Sequence, residues 1–298
     1  MSATEPPELP LPPRALLPMS EQTPQPTTDA APPGQHPSGV LAAIGRPFME
    51  VAETVRGIFQ VFGLTLYYMF KGRTRWKAIF EQLYEVGNRS VVFIAVTLGF
   101  LGMILVYQSG FQAQQITGDL QMLGGLFLQL LLREFAPTIT AMMLATRVAT
   151  GMAAQIGSMV VTEQVDALRM SAAQPIDYLV VPRFIATTIM TVVLSIFAVL
   201  VSYSAGAAIA YISFDLNVRT FVDMSFIGWF DVWMGLTKAL AYGMAIPIVA
   251  CHAGLNVFGG SAGVGRATTT AVVNASLAVV ILDFIISGLG YVILSLVS

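Results

Sequence analysis

Four charged residues stand where the neighbouring sequence is apolar, and they are the first candidates for chemistry. Arg133 and Glu134 are adjacent in a hydrophobic run that begins near Met122, and Pro137 follows a helical turn later. Charges at bilayer depth are costly, so each is a functional candidate by default. Pro137 deprives the Arg133 carbonyl of its helical partner, and a kink beside a charged pair is a way to build a cavity for a polar ligand. The competing reading is a buried ion pair that locks helices together. At about 1.5 Å per residue, Lys238 lies about 9 Å from the outer end of its apolar run, and Asp283 falls at about the same depth in the next. Matched depth suggests a structural ion pair.

A second set of polar residues lies between two long apolar runs, in Gly157–Arg183. Glu163, Asp166 and Arg169 are three apart on one side of a short helix, while Val161, Val165, Leu168 and Ala172 fall on another. Thr162 can cap this helix, Glu163 in its first turn suits the helix dipole, and Pro175 closes it. An amphipathic helix between two membrane spans is suited to touch a partner at the membrane surface; a solvated connecting loop is the bland alternative.

Three motif matches carry little. Gly259 to Gly263 fits the hydrolase G-x-S-x-G pattern around Ser261, with His252 nearby, but that motif needs a strand–turn–helix and an acid partner. Gly260 to Gly265 followed by Arg266 lacks the Lys and the Ser/Thr of a phosphate-binding loop. Asn88-Arg89-Ser90 reads as a glycosylation site but falls on the cytoplasmic side of the expected topology. The Gly259–Gly265 stretch is expected to make a tight cytoplasmic turn.

The elements that hold these residues follow from composition. The chain has 298 residues, 55% hydrophobic and only 11% charged, against roughly 25% charged in a soluble domain. Five apolar runs are expected to span a membrane: Val91–Tyr107, about Met122 towards Gly157, Phe184 to about Ile212, Val232 to about Cys251, and about Thr270 to Leu296. The fold class is therefore an all-α integral membrane protein. Before the first span, Phe48–Phe70 reads as an in-plane or re-entrant helix with an apolar face, and Lys71 to Lys77 as a basic anchor to anionic lipid. Residues 1–45, rich in Pro, Thr, Ala and Gln, read as a disordered tail; residues 46–298 form the membrane domain. The single cysteine, Cys251, excludes an internal disulfide framework. Lys71, Arg73, Arg75, Lys77 and Arg89 precede the first span, Arg169 and Arg183 lie between the second and third, and Arg266 between the fourth and fifth. The positive-inside rule then places the N-terminus and the short helix in the cytoplasm and the C-terminus outside.

Val160-Val161-Thr162-Glu163-Gln164-Val165-Asp166-Ala167-Leu168, followed by Pro175 and Tyr178 to Arg183, closely resembles the MlaE/YrbE permeases. Leu132 to Pro137 leading to Ala145-Thr146-Arg147-Val148, and Gly263 to Thr269 with Asp283-Phe284 beyond, carry the same resemblance over roughly residues 46–298. Ser171, where a Gly is usual, and Gly260-Ser261-Ala262, where an acidic residue is frequent, depart from it. The resemblance implies the permease subunit of an ABC lipid transporter in the bacterial inner membrane. It implies a homodimer with an interfacial N-terminal helix, a separate ATPase pair, an MCE-domain protein outside and often a STAS-domain regulator. The cargo would be phospholipid or another lipid. Arg133 and Glu134, with Gln129 and Pro137, would form the substrate site at the dimer axis. Thr162, Glu163, Gln164, Asp166 and Leu168 would engage the ATPase. No cofactor is expected on this chain; ATP and magnesium belong to the partner. Two rival readings remain: an ion-coupled secondary transporter using Glu134 and Asp283 as proton sites, and an intramembrane hydrolase around Ser261.

Overall fold

The computed structural model describes residues 40–71, 75–116, 118, 120–171, 173–222 and 227–297. Residues 1–39 of the Pro-rich stretch and 72–74 of the basic cluster lie outside the described residues. The chain divides after Met49, and the whole bundle belongs to the unit that follows. Among the described residues every element is helical. Helix α1 is Val40–Lys71 and α2 is Trp76–Ile116. Helix α3, Leu123–Leu130, runs through a π-helical turn, Leu131–Phe135, into α4, Ala136–Val161. The short α5 is Gln164–Met170; a second π-helical turn, Ile176–Val180, opens α6, Val181–Phe214. Helices α7 (Val218–Phe221), α8 (Trp229–Leu255) and α9 (Gly260–Val297) complete the chain.

Five of these segments are long and apolar enough to cross a membrane: Trp76–Ile116, Leu123–Val161, Ile176–Phe214, Trp229–Leu255 and Gly260–Leu296. The chain is an all-α, multi-pass membrane protein. Helix α1 is not among the five, although Ile58, Val61, Phe62 and Met69 pack on the bundle beside Phe184, Ile248 and Cys251. Val51, Val55 and Phe59 of the same helix point away from the bundle.

Lipid is as apolar as leucine, so helices in it associate by close packing and polar contacts rather than by hydrophobic burial. Helix α2 lies along α6, where Gly102 abuts the Ser202 main chain. Helix α8 is wedged among α4, α6 and α9. Its apolar window is 67% buried, against 6% for that of α9. Helix α9 is thus an almost bare apolar rod held along one side.

Pro137 has no N–H to give, and the turn before it absorbs the deficit. The Ala136 N–H bonds the Leu131 carbonyl, five residues back, and the chain bulges there. The Leu132 carbonyl then faces Gly235 of α8, whose missing side chain makes room: a Cβ there would lie 2.3 Å from that oxygen.

Four local expectations are corrected. Thr162 does not cap α5; its hydroxyl turns back to the Ser158 carbonyl at 2.8 Å. Glu163 is not in the helix but precedes it in the left-handed region, at φ 57°. Pro175 closes nothing, since α5 ends at Met170 and Pro175 starts the next helix, where its fixed φ suits a first turn. The Gly259–Gly265 stretch is a turn only at its start, because α9 begins at Gly260.

Gly235→Val should cost about 1–3 kcal/mol by overpacking against the Leu132 carbonyl, read as a lower thermal midpoint in detergent. Gly63→Ala, where an added Cβ meets nothing within 4 Å, should leave the midpoint within about 0.5 kcal/mol.

Candidate substrate site and coupling surface

Two linked ion systems occupy the interior around the first π-helical turn. Neighbouring residues on a helix leave it on different sides, so Arg133 and Glu134 part company. The Arg133 Nε lies 3.2 Å from the Asp231 Oδ1, with both side chains largely buried. Asp231 sits in the first turn of α8, accepts the Gly228 N–H at 2.9 Å and the Gln129 amide at 3.4 Å, and so closes the start of that helix. The Arg133 guanidinium stands 4.9 Å from the Tyr291 ring centre and 5.7 Å from that of Phe230. Its Nη2 is buried and meets no hydrogen-bond partner among the described residues.

Glu134 turns instead to Lys238 of α8, whose side chain has no exposed surface. The same ammonium lies 2.9 Å from the Asp283 Oδ1 on α9. Asp283 also accepts the Tyr242 hydroxyl at 2.6 Å and the Thr138 hydroxyl at 3.1 Å. Ser287 donates to Glu134 at 3.3 Å. The structure therefore brings together the residues matched by depth, Lys238 and Asp283, and adds Glu134. It corrects the reading of Arg133 and Glu134 as one ion pair, because each has its own partner elsewhere. Gln129 joins the group through Asp231. Pro137 is buried and shapes the turn rather than presenting a surface.

Three carboxylates and two cations meet here, so the group carries one negative charge in excess if all are ionised. The arrangement can bind a polar or zwitterionic group: the guanidinium has donors to spare, and the Glu134 and Asp283 side chains are each about one quarter exposed. Sequence reading missed Asp231, Tyr242, Thr138, Phe230 and Tyr291. The spacing of Asp283, Ser287 and Tyr291, four apart along α9, is the one signal that could have marked a polar stripe.

At the far end of α4 the short helix α5 buries Val165 and half-buries Leu168, while Thr162, Glu163, Gln164, Asp166 and Arg169 are exposed. Asp166 and Arg169 pair at 3.1 Å on that outer surface, and Met170 is 90% exposed. Ala172 lies outside the described residues.

The family described as Permease MlaE matches residues 79–289. A probable ABC transporter permease protein of Synechocystis sp. is 38% identical over 233 residues, 78% of this chain and 88% of its own. One of Rickettsia prowazekii is 33% identical over 249 residues, 83% of this chain and 95% of its own. The protein Trigalactosyldiacylglycerol 1, chloroplastic, of Arabidopsis thaliana is 30% identical over 221 residues, 74% of this chain and 63% of its own.

Lys238→Met should destabilise the chain by about 3–5 kcal/mol, because Glu134 and Asp283 lose their buried cation. Adding Glu134→Gln and Asp283→Asn should recover most of that loss. The comparison of thermal midpoints in detergent checks both.

Proposed function

The chain belongs to the Permease MlaE family and is a permease of the ABC type; on that premise we propose that its cargo is phospholipid or another lipid, carried between the inner membrane and the cell envelope. The observation that carries this reading is the state of Arg133. A guanidinium kept inside a membrane bundle, flanked by two aromatic rings and with donors unused, suits a phosphate headgroup. The Arabidopsis relative bears the name of a galactosylated diacylglycerol, which favours a lipid cargo. An apolar groove of about 470 Å³, lined by Met103, Ile104, Tyr107 and Phe111 of α2 and Ile209 of α6, is the right character for acyl chains.

On this reading ATP and magnesium are bound by a separate ATPase that docks on α5 through Gln164, Asp166 and the exposed Met170. Helix α4 is one unbroken rod from that surface to the π-helical turn, so a push on α5 reaches Arg133 and Glu134. The family further suggests a homodimer with the cargo site at its axis, an MCE-domain protein outside the membrane and a STAS-domain regulator. The N-terminus and α5 lie in the cytoplasm and the C-terminus outside, from the distribution of Lys and Arg. Residues 46–298 are the permease domain. An ion-coupled mechanism through Glu134 and Asp283 fits less well, because one buried ammonium holds both carboxylates.

In proteoliposomes holding the chain with the ATPase that copurifies with it, Arg133→Gln should lower ATP-driven phospholipid transfer at least about tenfold, as expected from losing charged hydrogen bonds. Asp231 keeps Gly228 and Gln129, so folding should survive; unchanged transfer would remove Arg133 from the cargo site. Asp166→Ala should leave ATP hydrolysis running while transfer falls. Full transfer in that variant would end the coupling role, and transfer by the chain alone under a pH gradient would favour the ion-coupled rival.

A further inference from the structure

A cleft of about 140 Å³ opens between α2 and α4, at the end of the bundle that carries α5 and away from the site around Arg133. Its walls bear Arg89 and Gln82 from α2 and Arg147 and Gln155 from α4, over an apolar floor of Val86 and Met152. Arg147 is half-buried and its Nη1 donates to the Ser90 hydroxyl at 2.6 Å, which fixes the guanidinium at the mouth. It makes no ion pair with a carboxylate among the described residues; Glu85, the one acid on the cleft wall, lies 3.7 Å from Arg89 and accepts the Gln155 amide at 3.4 Å. Arg183 of α6 reaches the same group, donating to the Gln155 side-chain oxygen at 3.2 Å. Three guanidiniums thus stand at the cleft and its rim against one carboxylate, Glu85, which among the described residues pairs only with Arg89, so the excess charge there is positive. Free snorkelling of Arg147 into solvent does not describe this geometry, since the side chain is turned inward onto Ser90.

We propose that the Arg89–Arg147 cleft is a binding site for the phosphate of an anionic phospholipid headgroup. Guanidiniums recognise phosphate oxygens by paired hydrogen bonds, and basic pockets at the edge of the hydrocarbon region bind acidic headgroups. Position selects lipid over free phosphate. Directly beyond Ser90, α2 turns Val92, Phe93, Val96 and Phe100 outward, all at least half exposed. A headgroup seated in the cleft lays its acyl chains along that apolar face. The site is independent of the transport reading, because it needs neither an ATPase nor the Arg133 group.

Native mass spectrometry of the full chain in detergent, titrated with phosphatidylglycerol, phosphatidylcholine or inorganic phosphate, tests this. Wild type should retain phosphatidylglycerol at least tenfold better than phosphatidylcholine, and Arg89→Gln with Arg147→Gln should abolish that preference. Glu85→Gln, a change at a partly exposed side chain, should strengthen retention severalfold and keeps the test open if the double variant does not fold. Equal retention of the two lipids, a double variant that binds like wild type, or no gain from Glu85→Gln overturns the site. Displacement of phosphatidylglycerol by inorganic phosphate at equal concentration overturns the lipid assignment.

Discussion

The Lys238 ammonium has no exposed surface and lies in a segment whose surroundings cannot hydrate it. Taking such a charge out of water costs several kcal/mol unless opposite charges and hydrogen bonds offset it. Glu134 comes from the π-helical turn, Asp283 from α9 and Lys238 from α8, so three separate stretches must meet at one point. Tyr242 and Thr138 complete the hydrogen bonding of Asp283. This matters most for α9, which buries little apolar surface. Asp283, Ser287 and Tyr291 lie four apart on one face, and all three touch the polar group. These contacts add to the apolar packing of Ala271, Ala275 and Val279, which are fully buried on the same helix.

The π-helical turn decides how the interior charges divide. An unbroken α-helix could not accommodate Pro137 without leaving a carbonyl unpaired; the bulge moves that deficit to Leu132 and aims it at Gly235. The same bulge precedes α4, and the two adjacent charges take different partners on α8, Asp231 and Lys238. Glu134 is consumed in holding α8 and α9. Arg133 is held by one carboxylate and two rings, and it retains hydrogen-bonding capacity. The Lys238–Glu134–Asp283 group and a guanidinium with unused donors therefore sit next to each other.

The two ends of α4 have different chemistry. One end meets the buried polar group; the other turns through the left-handed Glu163 into α5, anchored by Val165 and otherwise exposed. Between them, Arg147 projects from the same rod into the basic cleft against α2. Helix α4 thus joins a guanidinium with unused donors near one end to an exposed short helix at the other.

Much of this was legible from residue order alone. Unbroken apolar length identified five crossings, and residue counting set Lys238 level with Asp283. These are properties of a helix taken singly, where rise per residue and local composition suffice. Which neighbour each side chain faces is another matter. That Arg133 turns to Asp231 and Glu134 to Lys238 depends on the bulge before Pro137, on the glycine of another helix that admits it, and on how α8 is wedged into the bundle. Likewise Glu163 reads as a helix-starting acid, yet the tight turn between α4 and α5 places it in the left-handed region, and Pro175 opens a helix that the turn has already made possible. Sequence determined the segments, their polarity and their depth. Tertiary packing alone decided the pairing, because a buried charge settles on whichever opposite charge the close approach of helices brings within reach.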